Sequence, residues 1–424
     1  MSAADPPASL VTHLRCDDCG HEVSPGGPAT VCRLCGGLLE FCYDLGSAPA
    51  DLFARAARER ALGMWRWRAL LPLAAEATAV TLGEGDTPLL DVPDLSHQLG
   101  FARLWLKNDS LMPTGSFKDR GFALAVSVAR QLGLRRGFTY SSGNAGASFA
   151  AYAARAGLQA TVFVEAAANE TKVAAISLFG ARVYRLHYET SAQIFDALDE
   201  LARQGEYPFV NFVNPVRHEA MKTYAYEICE QLDWDVPDVM VHPVGTGGGL
   251  WGAWKGFLEL RELGVIDRVP RMFGVQPAVC APLVEAFQNR REEAITVGDA
   301  GATIAQSIAG DTLIHGGRRL LGAIRSSGGG AVAVTEDDIG AAVRLLGKAA
   351  IAAEPSAAAA LAGLLHAREC GLIAPTETVV AVVTGSALKQ PTALTGFAPQ
   401  PLGAVRADVA QWRDILSAVE SVSP

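Results

Sequence analysis

From about residue 80 onward, short apolar runs rich in β-branched residues alternate with alanine-rich stretches of helical period. FTYSS (138–142) leads into ASFAAYAARAG (147–157), ATVFVE (160–165) into KVAAISLFGA (172–181), and RVYRL (182–186) into AQIFDALDELARQG (192–205). The alternation predicts βαβ units and a parallel sheet. It resumes with VMVHPVG (239–245), RMFGVQP (271–277) and ETVVAVVTG (377–385). Glycine turns that directly follow such strands fall at the carboxyl edge of the sheet, where open α/β folds bind ligands. The alanine run at 357–360 reads as a helix, with Glu354, Pro355 and Ser356 as its first-turn residues.

The first 46 residues differ. Residues 12–45 are rich in Cys and Gly and lack long apolar periodicity, whereas 51–71 reads as a helix followed by an aromatic segment. With 424 residues, half of them hydrophobic, the chain has material for two domains around substantial cores. A net charge of -9 disfavours nonspecific binding to nucleic acid or anionic membranes and turns attention to small molecules. The start, residues 1–11, has neither a basic nor an apolar leader region, and no apolar run approaches membrane-spanning length, so a cytoplasmic protein with reduced thiols is expected.

Four segments carry candidate chemistry. In PTGSFKDRG (113–121), Lys118 follows a turn and opens an apolar helical stretch, where burial and a helix N-terminus favour the neutral amine that forms Schiff bases. The turn SSGNAG (141–146) follows a strand and opens a helix; its N–H groups suit a carboxylate, and the Asn144 amide suits a ring substituent. Ser142 or Asn144 as a plain helix cap is the alternative. The loop Gly245-Thr246-Gly247-Gly248-Gly249 precedes a helix and offers converging N–H donors without Cβ atoms, a phosphate cradle; it is neither a dinucleotide fingerprint nor a P-loop. Thr384, Gly385 and Ser386 end an apolar strand, where a hydroxyl caps a turn or meets a pyridine nitrogen.

The N-terminal cysteines form two pairs. Cys16-x2-Cys19 and Cys32-x2-Cys35, twelve residues apart, match a zinc ribbon, in which two knuckles supply four thiolates. All four positions being protein, a structural role is expected, with free or redox-active thiols as the alternative. Cys42, Cys229, Cys280 and Cys370 read as buried small hydrophobes.

In order and composition, GEGDTPLL (83–90), PTGSFKDRG, AAYAARAG (150–157), NPVRHEAMKTYAYEI (214–228), EPSAAAALAGL (354–364) and TGSALKQP (384–391) resemble the fold type II pyridoxal-phosphate (PLP) enzymes, most closely the threonine synthase branch. The likeness covers roughly residues 80–395. It implies a two-domain α/β fold like that of the tryptophan synthase β chain, with parallel or mixed sheets flanked by helices, plus the small zinc ribbon. The expected divisions are a ribbon at 1–46, a linker helix and the start of the large domain at 47–104, a small domain at 105–212, a large domain at 213–400 and a tail at 401–424.

By resemblance, Lys118 holds PLP as a Schiff base and then acts as general base, shaped by Ser116 and Phe117. Asn144 meets the PLP 3′-oxygen, Gly245–Gly249 its phosphate and Thr384 its ring nitrogen. Ser141, Ser142 and Gly143 receive the substrate carboxylate. Arg217 takes an anionic substrate tail, with a structural ion pair as its alternative. A homodimer acting on a small amino acid is implied. The chain departs from the branch at Ser142 (threonine expected), Phe212 (serine expected), Thr246 and Gly249 (asparagines expected) and Ser386 (histidine expected). These departures keep β-elimination or β-replacement on serine, threonine or a phosphorylated relative open beside a threonine synthase-like reaction. A non-catalytic regulatory protein is the reading from another class; retention of both Lys118 and Asn144 argues against it.

Overall fold

The computed structural model describes residues 8–168, 170–188, 191–210, 213–297, 302–399 and 403–420. Three sheets organise it. The first is a small antiparallel sheet in which β1 (Val11–Cys16) lies between β2 (Glu22–Val23) and β3 (Leu39–Tyr43). The largest contains β4 (Leu89–Asp91), β5 (Arg103–Asn108), β9 (Val239–Pro243), β10 (Arg271–Pro277), β11 (Gly330–Val334) and β12 (Thr378–Val383). The third pairs β6 (Arg136–Tyr140), β7 (Gln159–Glu165) and β8 (Arg182–Leu186), all parallel.

Strand order in the large sheet is β11-β10-β9-β12-β5-β4, parallel except for β4. Its central strands read as continuous apolar runs because helices cover both faces: every residue of β9, and nearly every residue of β12, is buried. Beneath them lies the helix Pro355–Glu369, the alanine run of the sequence, with residues 355–364 buried in the same core as β9, β10 and β12. Small side chains let this helix approach the sheet closely. Where Gly363 faces Val275, an added methyl would lie 2.2 Å from Val275 Cγ2.

This strand order decides where the chemistry sits. β12 lies between β5 and β9, so the segments leaving the carboxyl ends of these three neighbours are the Lys118 turn, the Thr384 turn and the glycine loop. The third sheet contributes the fourth segment, at the end of β6. Among the described residues, no helix is long and apolar enough to cross a membrane.

Candidate active site

The Lys118 turn is built by its own sequence. Gly115 takes φ +78°, and Asp119, one residue after the lysine, accepts from the Thr114 N–H (2.7 Å) and Oγ1 (2.6 Å) and from Ser148 Oγ (2.6 Å). The turn is thereby folded back onto the start of the helix Lys118–Gln131 and tied to the helix Asn144–Ala156. Phe117 N–H donates to the Thr384 carbonyl at 2.9 Å, and Ser386 N–H to that of Gly115 at 2.9 Å, which stitches the lysine turn to the end of β12.

A closed circuit of contacts links the four segments. Gly385 packs against Glu354 and Asn144: a methyl on it would lie 2.4 Å from Glu354 Oε1 and 3.3 Å from Asn144 Nδ2. Asn144 donates to Glu354 Oε1 at 2.7 Å and reaches Ser307 Oγ at 3.5 Å. Ser307 borders the glycine loop, its carbonyl 3.5 Å from where a Gly245 Cβ would stand. The loop returns to the lysine turn through Gly249, whose Cβ would meet Phe117 at 3.0 Å and His242 Nε2 at 2.5 Å. Gly247, at φ +88°, is the N-cap of the helix Gly248–Glu262, has no side-chain cap and faces Leu320 where its Cβ would be. That helix therefore presents first-turn N–H groups with no capping side chain and no Cβ in the way, which suits a phosphate. The Lys118 ammonium group lies 4.2 Å from the centre of the Phe117 ring, the same ring that borders Gly249. An amine, a helix N-terminus without a side-chain cap and the buried Asn144 and Thr384, joined by this circuit of contacts, fit a pyridoxal phosphate.

Charge in the cleft is mostly positive. Burial, then the nearby positive charge of Arg217, pull the Lys118 pKa down to about 7, with Glu354 acting the other way. Arg217 is 2% exposed, donates from Nη1 to the Phe209 carbonyl at 3.1 Å and lies over the Phe122 ring at 4.0 Å. Among the described residues its Nε has no hydrogen-bond partner, and burial brings its pKa to about 9. The ion pair that was its alternative role is absent among the described residues, and Phe212, the departure noted beside it, lies outside them.

Ser141, Ser142 and Gly143 form the turn before Asn144 and are all part-exposed, at the mouth of an open cleft. Sequence reasoning missed Glu354 and Ser307 as site residues. Glu354 was legible only as a first-turn residue, and nothing local marks Ser307. His242, at the end of β9, is buried, with Nδ1 2.7 Å from the Pro243 carbonyl.

Of the unpaired cysteines, Cys229 and Cys280 are buried as expected, whereas Cys370 is exposed at the end of its helix and Cys42 is half-buried. The four paired cysteines stand apart from this cleft. Sulfur separations are 3.4 Å for Cys16–Cys35, 3.4 Å for Cys35–Cys19 and 3.6 Å for Cys19–Cys32, and all four sulfurs lie within 4.8 Å of one another. Four thiolates around one zinc at a bond length of about 2.3 Å stand roughly 3.8 Å apart, so the set fits that ion. The ribbon docks on the body through Arg318–Asp18 (2.7 Å), Arg319–Asp17 and the Lys255 ammonium group on the Phe41 carbonyl (2.6 Å).

Comparison with known proteins agrees with this geometry. Residues 80–385 match the model of the pyridoxal-phosphate dependent enzyme family. The chain is 38% identical over 393 residues to the threonine synthase of Methanocaldococcus jannaschii, covering 92% of this chain and 95% of that protein. It is 39% identical over 350 residues to the threonine synthase of Mycobacterium leprae, covering 80% and 92%. Among solved structures, the processed form of threonine deaminase isoform 2 from Solanum lycopersicum superposes with a TM-score of 0.61 at 22% identity, over 74% of this chain and 88% of that one. Maize serine racemase gives 0.60 at 18%, over 88% and 98%. At these identities the structures speak for the fold alone.

Proposed function

The chain belongs to the pyridoxal-phosphate-dependent enzymes of fold type II, among the threonine synthase relatives, and from that premise we propose that it converts O-phospho-L-homoserine and water to L-threonine and phosphate. The observation that carries the choice of substrate is Arg217, a buried guanidinium within electrostatic reach of Lys118 that no carboxylate among the described residues pairs with. A buried cation of this kind is costly unless an anion meets it during function.

When bound, pyridoxal phosphate supplies the electron sink that acidifies the bonds at the substrate's α carbon. Lys118 is the cofactor-holding amine and then the base that takes the α proton, its pKa lowered to about 7 by burial and by Arg217. Asn144, its amide fixed by Glu354, is assigned to the 3′-oxygen, and Thr384 to the ring nitrogen. Gly245, Thr246, Gly247, Gly248 and Gly249 are assigned to the cofactor phosphate. Ser141, Ser142 and Gly143 hold the substrate carboxylate. Arg217 stabilises the departing phosphate as a β proton is lost and its bond to the γ carbon breaks; the γ carbon is then protonated, water adds its hydroxyl at the β carbon, and the α carbon regains a proton. Cys16, Cys19, Cys32 and Cys35 are proposed to hold one structural zinc, and a homodimer is the assembly that resemblance implies.

The assay is direct. Purified protein given O-phospho-L-homoserine should release threonine and inorganic phosphate in equal amounts. A 2-oxo acid and ammonia from serine or threonine, without turnover of the phosphorylated substrate, would replace this reading with β-elimination. Arg217→Ala should raise KM for O-phospho-L-homoserine roughly 10- to 100-fold, the loss of charge-assisted hydrogen bonds, with the cofactor spectrum unchanged. Unchanged kinetics would remove Arg217 from the site.

The ribbon has its own test. One zinc per chain is expected by atomic absorption, lost in Cys32→Ser, with protease cleavage appearing within residues 11–43 after chelation. Full-length resistance after complete metal removal would contradict a structural zinc.

A further inference from the structure

Two lysines that the roles above leave unused face the same cleft. Lys172 comes from the helix Glu170–Ser177, which packs on β8 of the third sheet; Lys389 comes from the short turn Ala387–Lys389 that follows β12 of the large sheet. Both line the space in front of Ser142, Gly143 and Asn144. The Lys172 ammonium group donates to Gln306 Oε1, a neutral acceptor, at 2.6 Å. The Lys389 stem runs across the lysine turn, its Cδ 3.3 Å from where a Gly115 Cβ would stand. Neither forms an ion pair among the described residues. Their negative neighbours act only through space: Glu354 and Glu165 on Lys172, Asp119 and Glu354 on Lys389. Glu354 is already engaged by Asn144, and Asp119 by Thr114 and Ser148.

Two part-buried ammonium groups that repel each other across a cleft, in a chain of net charge -9, are poorly arranged for stability alone. They are well arranged for an anion held between them. The nearest assigned ligand group is the substrate carboxylate at Ser141–Gly143, whereas Arg217 lies buried beside Lys118 and Phe122.

We propose that Lys172 and Lys389 grip the α-carboxylate of the amino-acid substrate from opposite walls of the cleft and are specificity-determining residues for it. The inference rests on the cleft being an amino-acid site. It does not depend on which amino acid reacts. Lysine contributes here as a point charge on a flexible stem, so the two heads need not match a fixed geometry to share one carboxylate.

The test uses the cofactor-loaded enzyme, L-norvaline, which carries no leaving group, and its decarboxylated counterpart butylamine, each titrated by the change in the visible spectrum. Lys172→Gln and Lys389→Met, the second keeping the stem over Gly115, should each weaken L-norvaline binding roughly tenfold while leaving butylamine unchanged. Lys172→Arg and Lys389→Arg should restore most of the loss. Inhibition by inorganic phosphate should be unaffected in the lysine variants and weakened in Arg217→Ala. L-norvaline affinity within twofold of wild type in both lysine variants would overturn the proposal. Loss of phosphate inhibition with L-norvaline binding intact would equally overturn it, by moving the lysines to the tail of the substrate. Failure of the wild type to turn over O-phospho-L-homoserine would strike the proposed reaction and leave the L-norvaline titration to judge the lysines.

Discussion

Lys118→Ala is expected to lower kcat roughly a thousandfold, the range of a lost general base, while the protein remains folded. Its nearest charged neighbours, Arg217 and Glu354, act on it only through space, so its removal breaks no ion pair. The variant should still take up the cofactor noncovalently, with the spectrum of a free aldehyde. Because burial and Arg217 lower the Lys118 pKa to about 7, the neutral amine dominates above that pH. Covalent cofactor uptake by the wild-type apoprotein should therefore accelerate with rising pH only up to about 7 and then level off, as followed by stopped-flow absorbance. Acceleration continuing to pH 10 would show a lysine of ordinary basicity.

Arg120→Met is expected to cost about 3–5 kcal/mol of stability, the usual penalty for removing one partner from a buried ion pair. Two residues after Lys118, Arg120 holds Asp109 through Nε (2.8 Å) and Nη2 (2.9 Å) and Glu227 through Nη1 (2.6 Å) and Nη2 (2.9 Å), all with fully buried side chains. Lys107, on β5, completes the cluster at 2.7 Å from Glu227. Burial alone would raise the Glu227 carboxyl, yet Arg120 and Lys107 hold it far below the ordinary carboxylate range. A carboxyl depressed in this way contributes stability that is complete above its unfolded value and declines as the pH falls below it. Urea unfolding of the wild type should thus show a loss below about pH 4 that Arg120→Met lacks in part. A variant as stable as wild type would mean the cluster is replaceable, and with it the anchoring of the lysine helix.

Legibility in the sequence followed a physical divide. The lysine turn, the SSGN turn, the glycine loop and the Thr384 turn were readable because each combines an apolar strand or helix with residues that local geometry restricts, such as Gly247 at positive φ. The strand RVYRL was legible to the residue as β8. What stayed hidden are polar groups whose role is set by a distant partner. Glu354 reads as the start of an alanine-rich helix, and only the folded chain brings it to Asn144, 210 positions away. Arg120 and Glu227 look like surface residues of amphipathic helices, although both are fully enclosed. Lys172 lies on a helix against one sheet and Lys389 on a turn that follows a strand of another, and no pattern along the chain pairs them. Periodicity reports which face of an element is apolar; it does not report which polar groups meet across a cleft.

The most direct measurement on the central claim is borohydride reduction of the cofactor-loaded protein followed by peptide mass mapping. The account predicts loss of the visible band and a single reduced pyridoxyl adduct on Lys118. An adduct on another lysine, such as Lys172 or Lys389, or a protein that takes up no pyridoxal phosphate, would contradict it.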